Sequence, residues 1–131
     1  MVLDLVSDML TRLNNGYRAK LSQIFILRNK QNLIILYLLL RLGYISSFYL
    51  HNYKLITVQL AYYRGQPAIR LIKRISSSKN RVYLSSLELK NRMGLSNTQN
   101  GFLILSTTSG IITDIEAAAY GVGGEVLFQI L

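Results

Sequence analysis

The sequence lacks several residue types on which common active sites depend. It contains no cysteine and a single histidine, His51. Without cysteine there is no disulfide, no thiolate nucleophile and no thiolate metal site, which leaves the compartment reducing or undecided. A single histidine could serve as the base of a catalytic triad, but it excludes metal sites that need several histidines. The composition therefore predicts no metal site, no cofactor and no enzymatic activity.

Long apolar runs are also absent. The longest run, Leu33 to Leu40, ends at Arg41 and is far shorter than the roughly 20 residues that a membrane-spanning helix needs. The N-terminus carries Asp4 and Asp8 in an amphipathic helical pattern, which fits neither a secretory signal nor an Arg-rich transit peptide. We therefore expect no transmembrane segment, and a protein that acts where it is made or is given in its mature form.

Negative charge is scarce, and its distribution is uneven. The chain has 15 Lys and Arg against six Asp and Glu, a formal net charge of +9. No acidic residue occurs between Met9 and Leu87, although that stretch carries 13 of the cations. A solvated basic face is the ordinary explanation of such a run, but a field of one sign repels itself when no partner neutralises it. The charge pattern therefore favours a polyanionic partner such as nucleic acid.

Periodicity and turn residues predict an α+β protein of two lobes, with a boundary at Gly65, Gln66 and Pro67, the only proline. The N-terminal lobe, 1–64, is expected to place two helices on a three-stranded sheet. Its predicted elements are a helix carrying Val6, Met9, Leu10 and Leu13 that stops around Asn15-Gly16, a strand over Leu21 to Leu27, a buried helix from Lys30 to Leu42 between Asn29 and Gly43, and strands over Tyr44 to Leu50 and Leu55 to Tyr63 joined at His51-Asn52.

The C-terminal lobe, 65–131, is expected to be a small antiparallel sheet with short helices. Its predicted elements are a strand over Ala68 to Ile75, a basic loop from Ser76 to Asn80, a strand at Arg81 to Tyr83, a helix opened by Ser85 and Glu88 and ending near Gly94, a strand over Phe102 to Leu105, a turn over Ser106 to Gly110, a strand at Ile111-Ile112, a helix opened by Thr113 and Glu116 and closed by Gly121, and a strand over Val126 to Leu131.

Three features of this lobe could contact RNA. The turn of Ser106, Thr107, Thr108, Ser109 and Gly110 offers small donors and acceptors that could enter a shallow groove, although such turns are often merely structural. Tyr83, two residues after Arg81, could stack on a base while the Arg81 guanidinium contacts phosphate, or it could be a half-buried strand residue. The preceding loop adds a third candidate, the cation of Lys79.

The glycines Gly121, Gly123 and Gly124 do not form a dinucleotide-binding motif. They follow a predicted helix and precede a strand, whereas phosphate binding at a helix N-terminus requires the reverse order. Glu125, next to them, is expected to be a structural hydrogen-bond acceptor that orients the hydroxyl turn.

Several blocks of the chain resemble a known family, the eighth protein of the small ribosomal subunit in its bacterial and organellar form. The resemblance covers essentially the whole chain, and its last two blocks are highly specific. The blocks are Asp8 to Gly16, Arg74 to Ser76, Arg81 to Tyr83, Ile104 to Asp114 and Gly121 to Leu127.

The resemblance implies a protein that binds the central domain of small-subunit rRNA directly and early in assembly. It implies partners among rRNA and neighbouring small-subunit proteins, without a membrane or a small-molecule substrate. Carried over by position, it implies Ser106, Thr107 and Thr108 at the minor groove and splayed bases, Tyr83 nearby, Glu125 and Gly124 supporting the turn, and Lys30 and Arg12 on the RNA backbone.

The chain departs from the family pattern at four places, each of which puts one phosphate contact in doubt. These are Ser77-Ser78-Lys79 in place of a basic residue with Pro and Gly, Ser109 in place of Lys, and Asn14 and Ala118 in place of Arg. The heavy use of Leu, Ile, Tyr, Asn and Ser looks like translation from an AT-rich organellar genome. We therefore expect the mitochondrial matrix, with a plastid or a bacterial cytoplasm as alternatives.

Two other functions stay open at this point. The same surface could serve a free RNA-binding regulator of translation, which would not sediment with ribosomes. A basic protein of the membrane surface could use Leu33 to Leu40. An enzyme is the least favoured class.

Overall fold

The computed structural model describes residues 2–77, 79–94 and 101–131. Its elements alternate helices with short antiparallel strands, which confirms the predicted α+β class. In chain order they are α1 Val2–Arg18, β1 Gln23–Leu27, α2 Lys30–Leu42, β2 Ile45–Leu50, β3 Leu55–Leu60, β4 Tyr62–Tyr63, β5 Gln66–Pro67, β6 Ile72–Arg74, β7 Tyr83–Leu84, α3 Ser86–Gly94, β8 Phe102–Thr107, β9 Gly110–Thr113, α4 Asp114–Tyr120 and β10 Gly124–Ile130.

The chain divides into two compact units, Met1–Arg70 and Leu71–Leu131. The segment predicted as the boundary lies in the hairpin formed by β4 and β5: Gly65 belongs to its turn, and Gln66 and Pro67 form β5, in which Pro67 pairs with Tyr62. Arg64 and Gly65 have positive φ angles of 55° and 77°, which a tight turn between two such strands requires. The backbone N–H of Ala68 still bonds to Ala61 O at 3.0 Å, so the chain leaves the first unit only after this point.

In the first unit, α1 and α2 accompany a three-stranded antiparallel sheet in the order β1-β3-β2. The predicted stripe of Val6, Met9, Leu10 and Leu13 is fully buried, because apolar side chains at this spacing share one face of a helix. The predicted end of α1 was wrong, since the helix continues to Arg18. Gly16 does not stop it: a Cβ there would lie 2.7 Å from Ile24 Cγ2, so this glycine permits close packing of α1 on β1.

Helix α2 has the predicted caps. Asn29 Oδ1 accepts from the N–H of Asn32 at 2.9 Å, and Gly43 adopts a left-handed conformation with φ of 83°. The prediction that α2 is buried is confirmed for one face only, which includes Ile35, Leu36 and Leu39. Ile34 and Tyr37 are 39% and 64% exposed, because only one face of the helix meets the unit's core.

In the second unit, β10 is the central strand, with β8 on one side and with β6 and β7 on the other, while β9 extends the sheet from β8. Leu89 of α3 and Ala117 of α4 pack into a core with Leu105, Ile112 and Val126. The strand predicted over Ala68 to Ile75 is shorter, since only Ile72–Arg74 pairs with β10.

Both predicted capping boxes of this unit are present. Ser85 and Glu88 exchange bonds of 3.2 and 3.3 Å at the start of α3, and Thr113 and Glu116 do the same for α4. Gly121 closes α4 with a φ of 71°. Among the described residues, no helix is long and apolar enough to cross a membrane.

Candidate nucleic-acid interface

The hydroxyl-rich segment is a hairpin that joins β8 to β9. Ser106 and Thr107 belong to β8 rather than to the turn, and Thr107 pairs with Gly110. The turn itself is only Thr108 and Ser109, closed by Gly110 with a φ of 105°, which favours glycine. Ser106, Thr108 and Ser109 are exposed, so the hairpin presents three small polar side chains to solvent.

Thr107 has a different place from its neighbours. Its hydroxyl donates to Gly110 O at 2.9 Å and accepts from the N–H of Ser109 at 3.1 Å. Side-chain bonds of this kind fix the backbone of a turn. The Thr107 hydroxyl therefore holds the shape of the hairpin, while the neighbouring side chains are exposed.

A row of three side chains crosses the sheet beside this hairpin. Glu125 of β10 pairs with Tyr83 of β7 on one side and with Ser106 of β8 on the other. Directly opposed residues of antiparallel strands project to the same face, so an aromatic ring, a carboxylate and a hydroxyl lie side by side. Tyr83 is 62% exposed, which leaves its ring available for stacking.

Only one oxygen of the Glu125 carboxylate has a partner among the described residues. Its Oε1 lies 3.5 Å from the Arg81 guanidinium, and its side chain is 12% exposed. The other oxygen, Oε2, is buried and has no hydrogen-bond partner among the described residues. A buried carboxylate oxygen without a donor is unfavourable, so a donor supplied by a bound molecule would be stabilised here.

Two glycines let the strands come together at this row. A Cβ on Gly124 would lie 2.3 Å from Ser106 O, and one on Gly123 would lie 2.5 Å from Leu84 O. Any side chain at either position would push backbone away. Gly124 thus permits β10 to approach β8 next to the hydroxyl hairpin.

Lys79 lies in an exposed loop on the same unit. The loop is closed by Ser77, whose N–H donates to Asn80 O at 3.0 Å and whose Oγ accepts from the N–H of Asn80 at 3.0 Å. Ser76, which is fully buried, accepts from the N–H of Val82 at 2.9 Å and anchors the end of the loop. Ser78, one of the residues at which the chain departs from the family pattern, lies outside the described residues.

The acidic side chains that the structure describes are all engaged within the protein. Asp8 pairs with Arg12, Asp114 with Arg92 and Glu125 with Arg81, and Glu88 and Glu116 cap helices. Burial raises the pKa of the Asp114 carboxyl, although backbone hydrogen bonds and Arg92 oppose the shift. Because these carboxylates are occupied, most of the cations stay available to a polyanion. Among the described residues, no three His, Cys, Asp or Glu side chains are grouped to hold a metal ion.

The chain is similar in sequence to a known family and to named relatives. The family model described as ribosomal protein S8 matches residues 4–131. The small ribosomal subunit protein uS8 of Legionella pneumophila (strain Lens) is 40% identical over 131 residues, which cover 97% of this chain and 96% of that protein. The uS8m protein of Acanthamoeba castellanii is 38% identical over 128 residues, covering 98% and 99%. The chain belongs to the ribosomal protein S8 family.

This family assignment confirms the resemblance drawn from the sequence blocks, and the match spans both units. The residues predicted from that resemblance fall into two groups. The row, the hairpin, Arg81, Gly124 and the Lys79 loop lie in the second unit, whereas Lys30 and Arg12 belong to the first. Arg12 bonds to Asp8 at 3.0 Å and to Phe25 O at 3.1 Å, so its guanidinium already has protein partners.

The sequence of this ribosomal protein S8 family member did not predict one basic and aromatic surface that the structure shows. Arg28, Tyr37 and Tyr53 line a groove together with Lys30 at the start of α2. The available signal was weak: Tyr37 interrupts an otherwise aliphatic run, and Arg28 directly precedes the cap residue. Their proximity depends on the turn between β2 and β3, which sequence periodicity does not position.

Proposed function

We propose that this chain is a structural constituent of the small ribosomal subunit that binds the central domain of small-subunit rRNA directly and stabilises its fold, without catalysis. The observation that supports the proposal most strongly is the row of Tyr83, Glu125 and Ser106 beside the hydroxyl hairpin. Membership of the ribosomal protein S8 family and the cationic surplus support it as well.

The chemistry of this surface suits folded RNA better than a regular duplex. A-form helices present a shallow minor groove lined by 2′-hydroxyls, and irregular helices splay bases outward. The exposed hydroxyls of Ser106 and Thr108 can both donate and accept there. Tyr83 can stack on an unpaired base, and Glu125 Oε2 can accept from an amino group or a 2′-hydroxyl. Arg81 and Lys79 would then contact phosphate.

The proposal extends to partners and location. We expect contacts with neighbouring small-subunit proteins in addition to rRNA, and no membrane or small-molecule substrate. The relatives include the uS8m protein of Acanthamoeba castellanii, which supports a place in the mitochondrial small subunit. Sedimentation of the tagged chain with small subunits from isolated mitochondria is the expected result, whereas a pool that stays free of ribosomes would favour a translational regulator.

Replacing Ser106, Thr107 and Thr108 together by Ala tests the assignment of the hairpin. Loss of the exposed Ser106 and Thr108 hydroxyls, each contributing about 0.5–1.5 kcal/mol, and of the Thr107 hydroxyl that fixes the hairpin should together weaken binding to the central-domain rRNA fragment about tenfold or more. The readout is filter binding at fixed salt, with circular dichroism to verify folding. Ser22, Ser46 and Ser47 are exposed hydroxyls of the first unit, and their triple Ala variant is the matched control.

Thr107 needs a variant of its own because its hydroxyl shapes the hairpin. Thr107→Ser keeps that hydroxyl and should bind like the natural chain, whereas Thr108→Ala removes only an exposed group and should weaken binding. A folded triple Ala variant with unchanged affinity would show that the hairpin does not read the RNA.

A further inference from the structure

An open groove of about 460 Å³ lies beside the start of α2 in the first unit. Besides Asn29, its lining combines two cations, two aliphatic side chains and two tyrosines: Arg28, Lys30, Leu33, Ile34, Tyr37 and Tyr53. A volume of this size is within the range of sites that hold small organic groups. None of the described residues that line the groove is acidic.

The two tyrosine rings are exposed, and the Tyr37 ring is also packed against a neighbouring ring. Tyr37 and Tyr53 are 64% and 76% exposed. The Tyr37 ring packs edge-on against Phe48 with centroids 5.0 Å apart, and Lys54 Nζ lies 5.4 Å from the Tyr53 ring centroid. Because the Tyr37 ring is already oriented by Phe48, it loses little conformational entropy when a planar group stacks on it.

The cations of the groove are available to bind an anion. Arg28 and Lys30 are exposed, and neither forms an ion pair with a described carboxylate. Lys30 is the first residue of α2, whose first turn contains no acidic residue. The positive end of the helix dipole adds to their charge, which makes this end of the groove the more attractive one for phosphate.

We propose that this groove binds an unpaired nucleotide of RNA, with the base stacked against Tyr37 or Tyr53 and a phosphate at Arg28 and Lys30. A peptide of acidic residues alone would satisfy the cations but would offer no aromatic ring to stack on the tyrosines. The inference rests on the proposed function for the identity of the polyanion. To the backbone contact already expected at Lys30, it adds stacking of a base in the first unit.

The test is a titration of the full chain, labelled with ¹³C in its tyrosine rings, with pentauridylate. A pentamer of abasic nucleotides with the same phosphates is the parallel probe. Pentauridylate should shift the Tyr37 and Tyr53 ring resonances, and the abasic pentamer should leave them nearly unmoved. The double variant Tyr37→Ala/Tyr53→Ala should bind pentauridylate about fivefold or more weakly, as expected for loss of one stacked base.

Matched controls separate stacking and local charge from general effects. Tyr49→Ala removes a ring that is 52% exposed in the same unit but outside the groove, and it should not change the affinity. Arg28→Gln and Lys30→Gln should each lower the dependence of binding on salt concentration. Lys20→Gln, which also removes an exposed cation of the first unit, should lower it less.

Two outcomes would overturn the inference: equal shifts of the tyrosine ring resonances with both pentamers, or displacement of pentauridylate by polyglutamate as readily as by unlabelled pentauridylate. Either would show that the groove binds any polyanion. The proposed function is tested apart from it. If the hydroxyl triple variant loses rRNA binding while the rings do not respond, only the groove fails. If the rings respond while the chain does not discriminate the rRNA fragment, only the proposed function fails.

Discussion

Tyr17 shows how one side chain can join separate parts of a small sheet domain. Its ring is 4% exposed, and its hydroxyl donates to Tyr44 O just before β2 and accepts from the N–H of Ala61 just after β3 at 3.2 Å. Burial raises the pKa of Tyr17 to about 12, although the hydrogen bond from Ala61 opposes the shift. The hydroxyl thus satisfies two backbone groups only while it carries its proton.

Tyr17→Phe should lower the free energy of unfolding at pH 7 by about 1–3 kcal/mol, because it leaves two backbone groups without a partner. A folded-state pKa above the unfolded value means that stability is fully present below pH 10 and is lost as pH rises toward 12. The deficit of the variant should therefore shrink over that range. Urea denaturation at pH 7 and above pH 10 measures it.

Tyr120→Phe is the control for this prediction, since Tyr120 is 61% exposed. It should change stability little at either pH. A Tyr17→Phe deficit that stays constant above pH 10 would contradict the role given to the protonated hydroxyl.

Among the elements, the close approach of β10 to β8 determines the shape of the candidate site. Gly124→Ala would place a methyl group 2.3 Å from Ser106 O, so the two strands must separate where Glu125 and Ser106 lie opposite each other. We expect a loss of about 1–3 kcal/mol in stability together with weaker binding of the rRNA fragment. Thermal unfolding and filter binding on one preparation measure both effects.

Gly65→Asn is the control for this substitution. Gly65 has a φ of 77°, a Cβ added there would meet no heavy atom within 4 Å, and asparagine tolerates this backbone conformation. It should leave rRNA binding unchanged. Gly124→Ala with full stability and affinity would show that the strands do not need this contact.

Local sequence signals predict many element ends correctly. Asn29 and Gly43 cap α2, and Thr113, Glu116 and Gly121 bound α4, because caps act through hydrogen bonds over a few residues. The predicted helix end at Gly16 is wrong because the role of this glycine, close packing against Ile24 and Leu60, depends on tertiary structure. The predicted turn at Ser106 and Thr107 is wrong because β8 continues to Thr107. Small polar side chains are typical of turns, so the sequence pattern did not indicate that the strand continues.

At the scale of the whole molecule, charge and family can be inferred from sequence, but the site's layout cannot. The cationic surplus indicates a polyanion, and the structure adds that the five described carboxylates of Asp8, Glu88, Asp114, Glu116 and Glu125 are engaged internally. The row of Tyr83, Glu125 and Ser106 needs strands from three distant segments to pair. Spacing along the chain carries no such information, so at the level of sequence only the family resemblance links these residues.

The most direct test of the central claim is salt-dependent binding of the purified chain to the central-domain rRNA fragment, in competition with an unrelated structured RNA. We predict tight binding that survives excess competitor, with a salt slope that falls by about one unit in Lys79→Ala as one phosphate contact is lost. Equal displacement of the fragment by the unrelated RNA would contradict the claim, because attraction between the cations and any polyanion would then be the whole of the binding.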